Sequence, residues 1–97
     1  MFNIDEDELL TRVHKYELSR SGERLRIDVH EVIAGKYDHN FIAIPNLLDR
    51  EARKASEDLF GFGTSEGEAL EDCLIKIKDL SIQVVIPYDR RSRMLNA

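Results

Sequence analysis

The sequence has few of the residues that cross-link small proteins or interrupt their secondary structure. Its 97 residues include one cysteine, two prolines and no tryptophan. A single cysteine, Cys73, excludes an internal disulfide and any CxxC motif. A hydrophobic content of 42% with 34% charged residues is typical of an ordered globular chain. Because about 100 residues make one domain, we predict a single domain over residues 1–97, with 1–10 and 88–97 loosely ordered.

Long apolar runs and an excess of basic residues are also missing. No stretch reaches the roughly 18 apolar residues of a membrane span, and the opening MFNIDEDELL carries acids where a secretory signal carries bases. We therefore expect a cytoplasmic protein. The formal net charge is −5, which opposes the approach of nucleic acids and anionic lipids. The sequence thus predicts no DNA and no membrane as partners, and any protein partner is expected to be electropositive.

Two segments of alternating polarity flank Ser21 and Gly22 and predict a β-hairpin over residues 11–34. If Ser21 and Gly22 form the loop, the apolar positions of both strands share one face of the sheet. That inner face consists of His14, Tyr16, Leu18, Leu25, Ile27 and Val29. We interpret His14 as a packing residue at the end of this face rather than as a ligand.

The opposite face of the hairpin carries charges that fix its register. Lys15 lies across from Asp28, and Glu17 lies across from Arg26. Opposite charges in directly facing positions stabilise strand pairing, whereas moving the loop by one residue would set Glu17 against Asp28. We interpret these four residues as a solvent-exposed sheet face.

The rest of the chain alternates between short strands and helices. FIAIPN predicts a third strand ended by Pro45, which cannot donate to a ladder, LFGFGT a brief fourth strand, and SIQVVIP a last strand. A short surface helix is predicted at about residues 49–58 and the main amphipathic helix at about 65–80. The expected fold class is therefore α+β, with a small antiparallel sheet opened by the hairpin and the main helix packed on one face.

The glycines before the main helix raise the question of a phosphate site. Gly61, Gly63 and Gly67 fit neither the dinucleotide fingerprint nor the P-loop. Ser65 and Glu68 instead have the spacing of a capping box, in which each side chain bonds the other residue's backbone N–H. Several acids in the first turns would repel a phosphate. We therefore assign the glycines a structural role.

The main helix has one apolar arc that predicts the face it buries. The arc consists of Ala69, Leu70, Cys73, Leu74, Ile77 and Leu80. Cys73 is thereby predicted to be a core residue rather than a reactive thiol. Ile75 lies outside the arc, so it is a candidate partner contact. Arg90, Arg91 and Arg93 in the C-terminal segment are further candidate contacts.

The sequence offers little for catalysis or metal binding. Its three histidines, His14, His30 and His39, lie in different segments and lack metal-ligand spacing. No serine has the surroundings of a nucleophile elbow. We predict no metal, no cofactor and no catalytic residue, and we expect the protein to act by binding another protein or a second copy of itself.

An enzyme remains the alternative interpretation. The compact cluster Tyr37, Asp38 and His39 is expected in a loop, and loops often carry function. In this interpretation the loop supplies acid–base groups beside Asp28 or Glu31. Turn chemistry accounts for the same residue types without any function.

The succession of two strands, FIAIPNL, and GFGTSEGEAL entering a helix resembles the HicB-like antitoxin domain, a partial ribonuclease-H-like fold. That family has a strand ending in P-[DN]-L, then a G-x-T turn and a helix with E-A-L. The matching residues are Phe41, Pro45, Asn46, Leu47, Gly63, Thr64, Glu68, Ala69 and Leu70, and the resemblance spans about residues 24–80. The segment LDREARKASEDLF makes the connection longer than in the family. The resemblance implies a non-catalytic protein that masks a small basic toxin.

Overall fold

The computed structural model describes residues 3–36, 40–47 and 55–86. In these residues, four strands form one antiparallel sheet in the order β1-β2-β3-β4. The strands are β1 (Leu9–Arg20), β2 (Glu23–Gly35), β3 (Phe41–Leu47) and β4 (Gly61–Gly63). The main helix α1 (Glu66–Ile77) packs on one face of the sheet and is followed by the short helix α2 (Ile82–Val85). The α+β fold predicted from the sequence is confirmed.

The hairpin between β1 and β2 has the predicted loop and register. Ser21 and Gly22 have φ values of 51° and 82°, and positive φ at both central residues is the requirement of a type I′ hairpin turn. Lys15 pairs with Asp28, and Glu17 pairs with Arg26. The register shifts between Leu10 and Thr11, where a bulge or irregularity interrupts the ladder. The pattern of alternating residues was therefore enough to specify the pairing.

The core lies between the helix face of the sheet and α1. It includes the predicted inner residues of β2 and three residues of the predicted arc, Ala69, Cys73 and Ile77. Partly buried apolar residues pack against it: Tyr16, Leu18, Leu70, Leu74 and Leu80. Its fully buried members include Leu25, Ile27, Val29, Ala43, Ala69, Cys73 and Ile77. Burial raises the pKa of the Cys73 thiol to about 11, so this cysteine is the inert core residue that was predicted.

Gly61 and Gly63 let β4 pass directly beneath α1. A Cβ atom at Gly61 would overlap the Ala69 carbonyl oxygen and the Cys73 amide nitrogen, and one at Gly63 would overlap Glu68. Strand and helix backbones are therefore in contact along β4, a spacing that only glycine permits. The predicted structural role of these two glycines is confirmed.

Helix α1 begins with one half of the predicted capping box. The Ser65 hydroxyl oxygen accepts a hydrogen bond from the Glu68 N–H at 3.1 Å. Glu68 does not return the bond to Ser65, because its Oε1 accepts from the N–H and the hydroxyl of Thr64, each at 2.8 Å. The carboxylate thus closes the turn between β4 and α1.

The end of α1 is held by a residue of the hairpin. The helix ends at Ile77, three residues earlier than predicted, and Asp79 has a positive φ of 67°. The Arg20 guanidinium donates hydrogen bonds to the carbonyl oxygens of Ile77, at 3.0 Å, and of Leu80. A cation is favourable here because the last carbonyls of a helix lack partners within the helix.

The predicted last strand is wrong, because its residues Ile82–Val85 form the short helix α2. The Ser81 hydroxyl oxygen accepts from the Val84 N–H at 3.3 Å and caps this turn. Ile82, Val85 and Ile86 are buried against the core. Their spacing of three and four residues fits a helical turn, whereas the β-branched composition had suggested a strand.

Pro45 lies within β3 rather than ending it. It faces Ile27 of β2, while its carbonyl oxygen accepts from the Ala55 N–H at 3.3 Å on the other side. β4 pairs only with Phe41, Ile42 and Ala43. The missing N–H of Pro45 therefore points to a side where no ladder partner is needed.

The predicted helix at residues 49–58 falls mostly outside the described residues. Of that range the structure describes residues 55–58. Residues Glu57–Leu59 form a short 3-10 turn, in which the Ser56 hydroxyl oxygen accepts from the Asp58 N–H. This turn leads directly into β4.

We predict opposite effects for alanine at two glycines of the β4–α1 unit. Gly61→Ala should lower the free energy of unfolding by about 2–3 kcal/mol, because the added methyl group forces the helix away from the strand. Gly67→Ala, on the exposed face of α1 with open space around its Cβ position, should raise it by about 0.5 kcal/mol. Urea denaturation of both variants measures the difference, and equal effects would contradict the close contact.

Arg20 offers a second test of the fold. Arg20→Ala should cost about 1.5–3 kcal/mol of unfolding free energy, because two carbonyl oxygens lose a charged donor. Arg24→Ala is the matched control on the same hairpin, since its exposed guanidinium lies 3.8 Å from Glu17, and it should change stability by less than about 0.5 kcal/mol. Similar losses in the two variants would show that Arg20 does not anchor α1.

Candidate interaction surfaces

Ile75, the partner contact predicted on the helix, is exposed as expected. Its side chain is 64% accessible to solvent. Glu71, one turn before it on α1, and Lys78, the residue that follows the end of α1, are charged and exposed. An apolar side chain flanked by charges along a helix is ordinary protein surface, so Ile75 by itself defines no extended patch.

The other predicted site residues lie outside the described residues. This applies to the candidate contacts Arg90, Arg91 and Arg93 and to the loop Tyr37, Asp38 and His39. The carboxylates proposed to act with that loop are described, and they lie on opposite faces of β2. The Asp28 carboxylate accepts a hydrogen bond from the Asn46 side-chain amide, and the Glu31 carboxylate lies within hydrogen-bond distance of the His14 ring. One catalytic site therefore cannot use both.

The sheet face opposite α1, which we call the open face, contains an apolar groove. The groove has a volume of about 680 Å³ and is lined by Asn40, Ile42, Ile44, Glu57, Phe60 and Phe62 together with the turn at Gly63 and Thr64. Ile42 faces Phe62 across the β3–β4 ladder. The Phe62 side chain is 53% accessible. This groove was not predicted from the sequence, because FGF indicates a short strand but not which of its faces is covered.

Charged residues on the open face are less exposed than predicted. Lys15 and Glu17 are exposed, but Asp28 is only 7% accessible and Arg26 is half-buried. The Arg26 Nε atom lies 3.0 Å from Asp28 Oδ1, and the Asn46 side-chain amide donates to Asp28 Oδ2 at 3.2 Å. The hairpin alone leaves Asp28 open to solvent, whereas β3 places a neighbour on its other side. The prediction of a fully solvent-exposed face is therefore wrong for Asp28.

The outer edge of β4 is closed by side chains of α1. The Phe62 N–H donates to Asp72 Oδ2 at 3.0 Å, and the Lys76 ammonium donates to the Phe60 carbonyl oxygen at 2.8 Å. Asp72 and Lys76 also form an ion pair at 3.0 Å, and the Lys76 ammonium lies 5.4 Å from the centre of the Phe62 ring. These contacts occupy backbone groups that an added strand would need.

His14 lies between two carboxylates on the helix face. Its Nε2 atom is 3.2 Å from Glu31 Oε1, and its Nδ1 atom is 3.6 Å from Glu66 Oε1. The two carboxylates approach different ring nitrogens, so the three side chains do not converge on one point. In residues 3–36, 40–47 and 55–86, no group of His, Cys, Asp and Glu is arranged to hold a metal ion. This cluster instead links β1, β2 and the start of α1.

Comparisons with known proteins add no family. No protein-family model, curated protein or solved structure matches this chain. The resemblance to HicB-like antitoxins therefore stays a prediction. Among the helices of the described segments, none has the length and apolar character needed to cross a membrane. The function must be argued from the surfaces themselves.

We predict that Asp72 makes stability depend on acid pH. Hydrogen bonds from the Phe62 N–H and from Lys76 lower the pKa of its carboxyl group. A carboxyl whose pKa is lower in the folded state stabilises the fold above its unfolded pKa, and this contribution is lost as pH falls through the folded pKa. Unfolding free energy should therefore decrease below about pH 4, and less steeply in Asp72→Asn.

Glu71→Gln is the control for this measurement, because Glu71 is the neighbouring exposed carboxylate on α1. Urea unfolding between about pH 3 and pH 7 gives the pH profile of each variant. An Asp72→Asn profile that overlays those of the wild type and Glu71→Gln would contradict the role of Asp72 at the β4 edge. Glu68, whose pKa the backbone and hydroxyl hydrogen bonds from Thr64 lower, contributes pH dependence of the same sign in every one of these variants.

Proposed function

We propose that this protein is a non-catalytic interaction domain that binds an electropositive protein segment in the groove of the open face. The observation that carries the proposal is the apolar lining of the groove, in which the partly buried Ile42, Ile44 and Phe60 lie beside the exposed Phe62. Apolar grooves of this kind on small proteins are typical of binding sites, since exposing them to water is unfavourable.

The shape of the groove favours a segment of polypeptide. It is open to solvent and lined mainly by apolar residues of β3, β4 and Phe60, while Asn40 and Thr64 contribute polar groups. A partner that places one or two apolar side chains on Phe62 would bury the aromatic side chain that is most exposed in the described residues. Aromatic side chains at the centre of an interface usually contribute most to affinity.

The charges around the groove favour a basic partner. Glu57 lines the groove, and the Glu68 carboxylate lies at the adjoining turn, where it bonds Thr64. The nearby cation, Lys76, is already paired with Asp72. Together with the net charge of −5, this distribution accelerates association with basic proteins and makes it sensitive to salt.

An antitoxin of the HicB-like type is a special case of the same proposal, with a small basic toxin as the partner. It is supported by the position of the matching residues. Phe41, Pro45 and Asn46 lie in β3. Gly63, the last residue of β4, faces Phe41, and Thr64 follows it in the turn that leads to α1. The proposal places the protein in the cytoplasm, where an unpaired thiol such as Cys73 stays reduced.

The proposal is tested with Phe62→Ser in an affinity capture experiment from the native host at low and high salt. We expect a basic protein that the wild type captures at low salt and releases at high salt. With the purified partner, Phe62→Ser should weaken binding about tenfold or more, because the apolar centre of the groove is lost. Isothermal titration calorimetry measures the affinity.

Ile75→Asp is the matched control, since Ile75 is also an exposed apolar residue but lies on α1 and does not line the groove. It should leave the affinity unchanged, and circular dichroism should show both variants folded. Loss of binding only in Ile75→Asp would move the contact to the helix. Capture of no basic protein, or full affinity in Phe62→Ser, would refute the proposed function.

A further inference from the structure

The two edges of the sheet differ in whether a further strand can pair with them. The β4 edge is closed by Asp72 and Lys76, as described above. At the opposite edge, β1 (Leu9–Arg20) pairs with β2, and no other strand within residues 3–36, 40–47 and 55–86 pairs with it. β1 has no proline, and its single irregularity falls near its start, between Leu10 and Thr11. From Arg12 to Arg20 it is therefore a regular edge strand of the kind that pairs with another strand.

The turn of the hairpin determines which backbone groups of β1 point outward. In a two-residue loop with positive φ at Ser21 and Gly22, the flanking residues Arg20 and Glu23 exchange both of their hydrogen bonds. Hydrogen-bonded pairs then alternate with non-bonded ones along the ladder. Even-numbered residues of β1 in the range 12–20 bond β2, and odd-numbered residues in the range 13–19 direct their N–H and C=O groups away from the sheet.

We propose that two copies of this chain form a symmetric dimer by antiparallel pairing of their β1 strands, with the two-fold axis at Tyr16. The occupant of the β1 edge is then the β1 edge of a second copy. In this register Lys15 faces Glu17 of the second copy, and Val13 faces Ser19. Each of these pairs occurs twice, and all use outward-directed backbone groups, which gives about eight intermolecular hydrogen bonds.

Charge complementarity selects this register. Lys15 and Glu17 are exposed on the same side of β1, and the Tyr16-centred pairing places them in two facing ion pairs. A register centred on Lys15 sets that residue against itself, and one centred on Glu17 does the same for the glutamate. Like charges in directly facing positions are unfavourable. Registers centred on His14 or Leu18 bring no opposite charges together.

On the helix face the same register extends the apolar core across the dimer axis. Tyr16 lies beside Tyr16 of the second copy, and the partly buried Leu18 lies opposite His14. Arg12 faces Arg20, but the Arg20 guanidinium is already bonded to the carbonyl oxygens at the end of α1. The product is an eight-stranded sheet with both α1 helices on one face, an isologous arrangement. The groove of the open face does not take part.

The proposed β1–β1 pairing can be tested by reversing one charge of the Lys15–Glu17 ion pair and then reversing both. Sedimentation equilibrium should show a wild-type dimer, and Lys15→Glu or Glu17→Lys should raise its Kd about tenfold or more. The double variant Lys15→Glu/Glu17→Lys should recover most of the affinity, because the ion pairs are restored with their signs exchanged. Recovery cannot come from the hairpin itself, where the swap sets like charges against Asp28 and Arg26.

Glu17→Pro provides a test through the backbone. Its N–H points outward, so proline is tolerated in the monomer but removes a donor from the dimer. We expect a folded monomer by circular dichroism and sedimentation. A wild type that is monomeric at about millimolar concentration, or a dimer that persists unchanged in Glu17→Pro and in both charge reversals, would overturn the proposal.

A disulfide test fixes the register. Tyr16→Cys should form an intermolecular disulfide on mild oxidation, because facing residues of a non-bonded pair have Cα atoms about 4.5 Å apart. Leu18→Cys is the control, since the two Leu18 positions lie about 13 Å apart along the strands and should not link. Cys73 is fully buried and does not interfere. Linking at Leu18 instead of Tyr16 would refute the proposed axis.

Discussion

The contact between the backbones of β4 and α1 is the constraint on which the rest of the structure depends. Gly61 and Gly63 allow the helix to rest directly on the strand, and this contact fixes the depth at which Ala69, Cys73 and Ile77 enter the core. The same closeness brings Asp72 and Lys76 within reach of the strand's backbone. The packing of α1 and the protection of the β4 edge therefore both depend on glycine at these two positions.

Much of the fold could be predicted because local patterns agree with the final packing. The turn at Ser21 and Gly22 and the alternating residues around it determine the hairpin, and the apolar arc of α1 identifies its buried face. Ser65 marks the start of the helix through its own chemistry. In each case a short stretch of sequence contains all the information that the structure uses.

The sequence-based predictions fail at residues whose environment is determined by residues distant in the sequence. Asp28 is buried because Asn46 of β3 lies beside it, and nothing in the hairpin indicates that neighbour. The β-branched residues around Val84 favour a strand, yet Ser81 and the core contacts of Ile82 and Val85 select a helical turn. The groove of the open face likewise depends on strand order, since Ile42 and Phe62 meet only through the β3–β4 pairing.

The closure of the β4 edge also governs how the sheet can grow. A sheet with two open edges can add strands without limit, which is the route to filaments and cross-β aggregates. Here Asp72 and Lys76 occupy backbone groups at the β4 edge, so among the described strands the β1 edge is the one left for strand addition. If two copies pair through β1 as proposed, edge pairing ends at two copies and does not continue into a fibre.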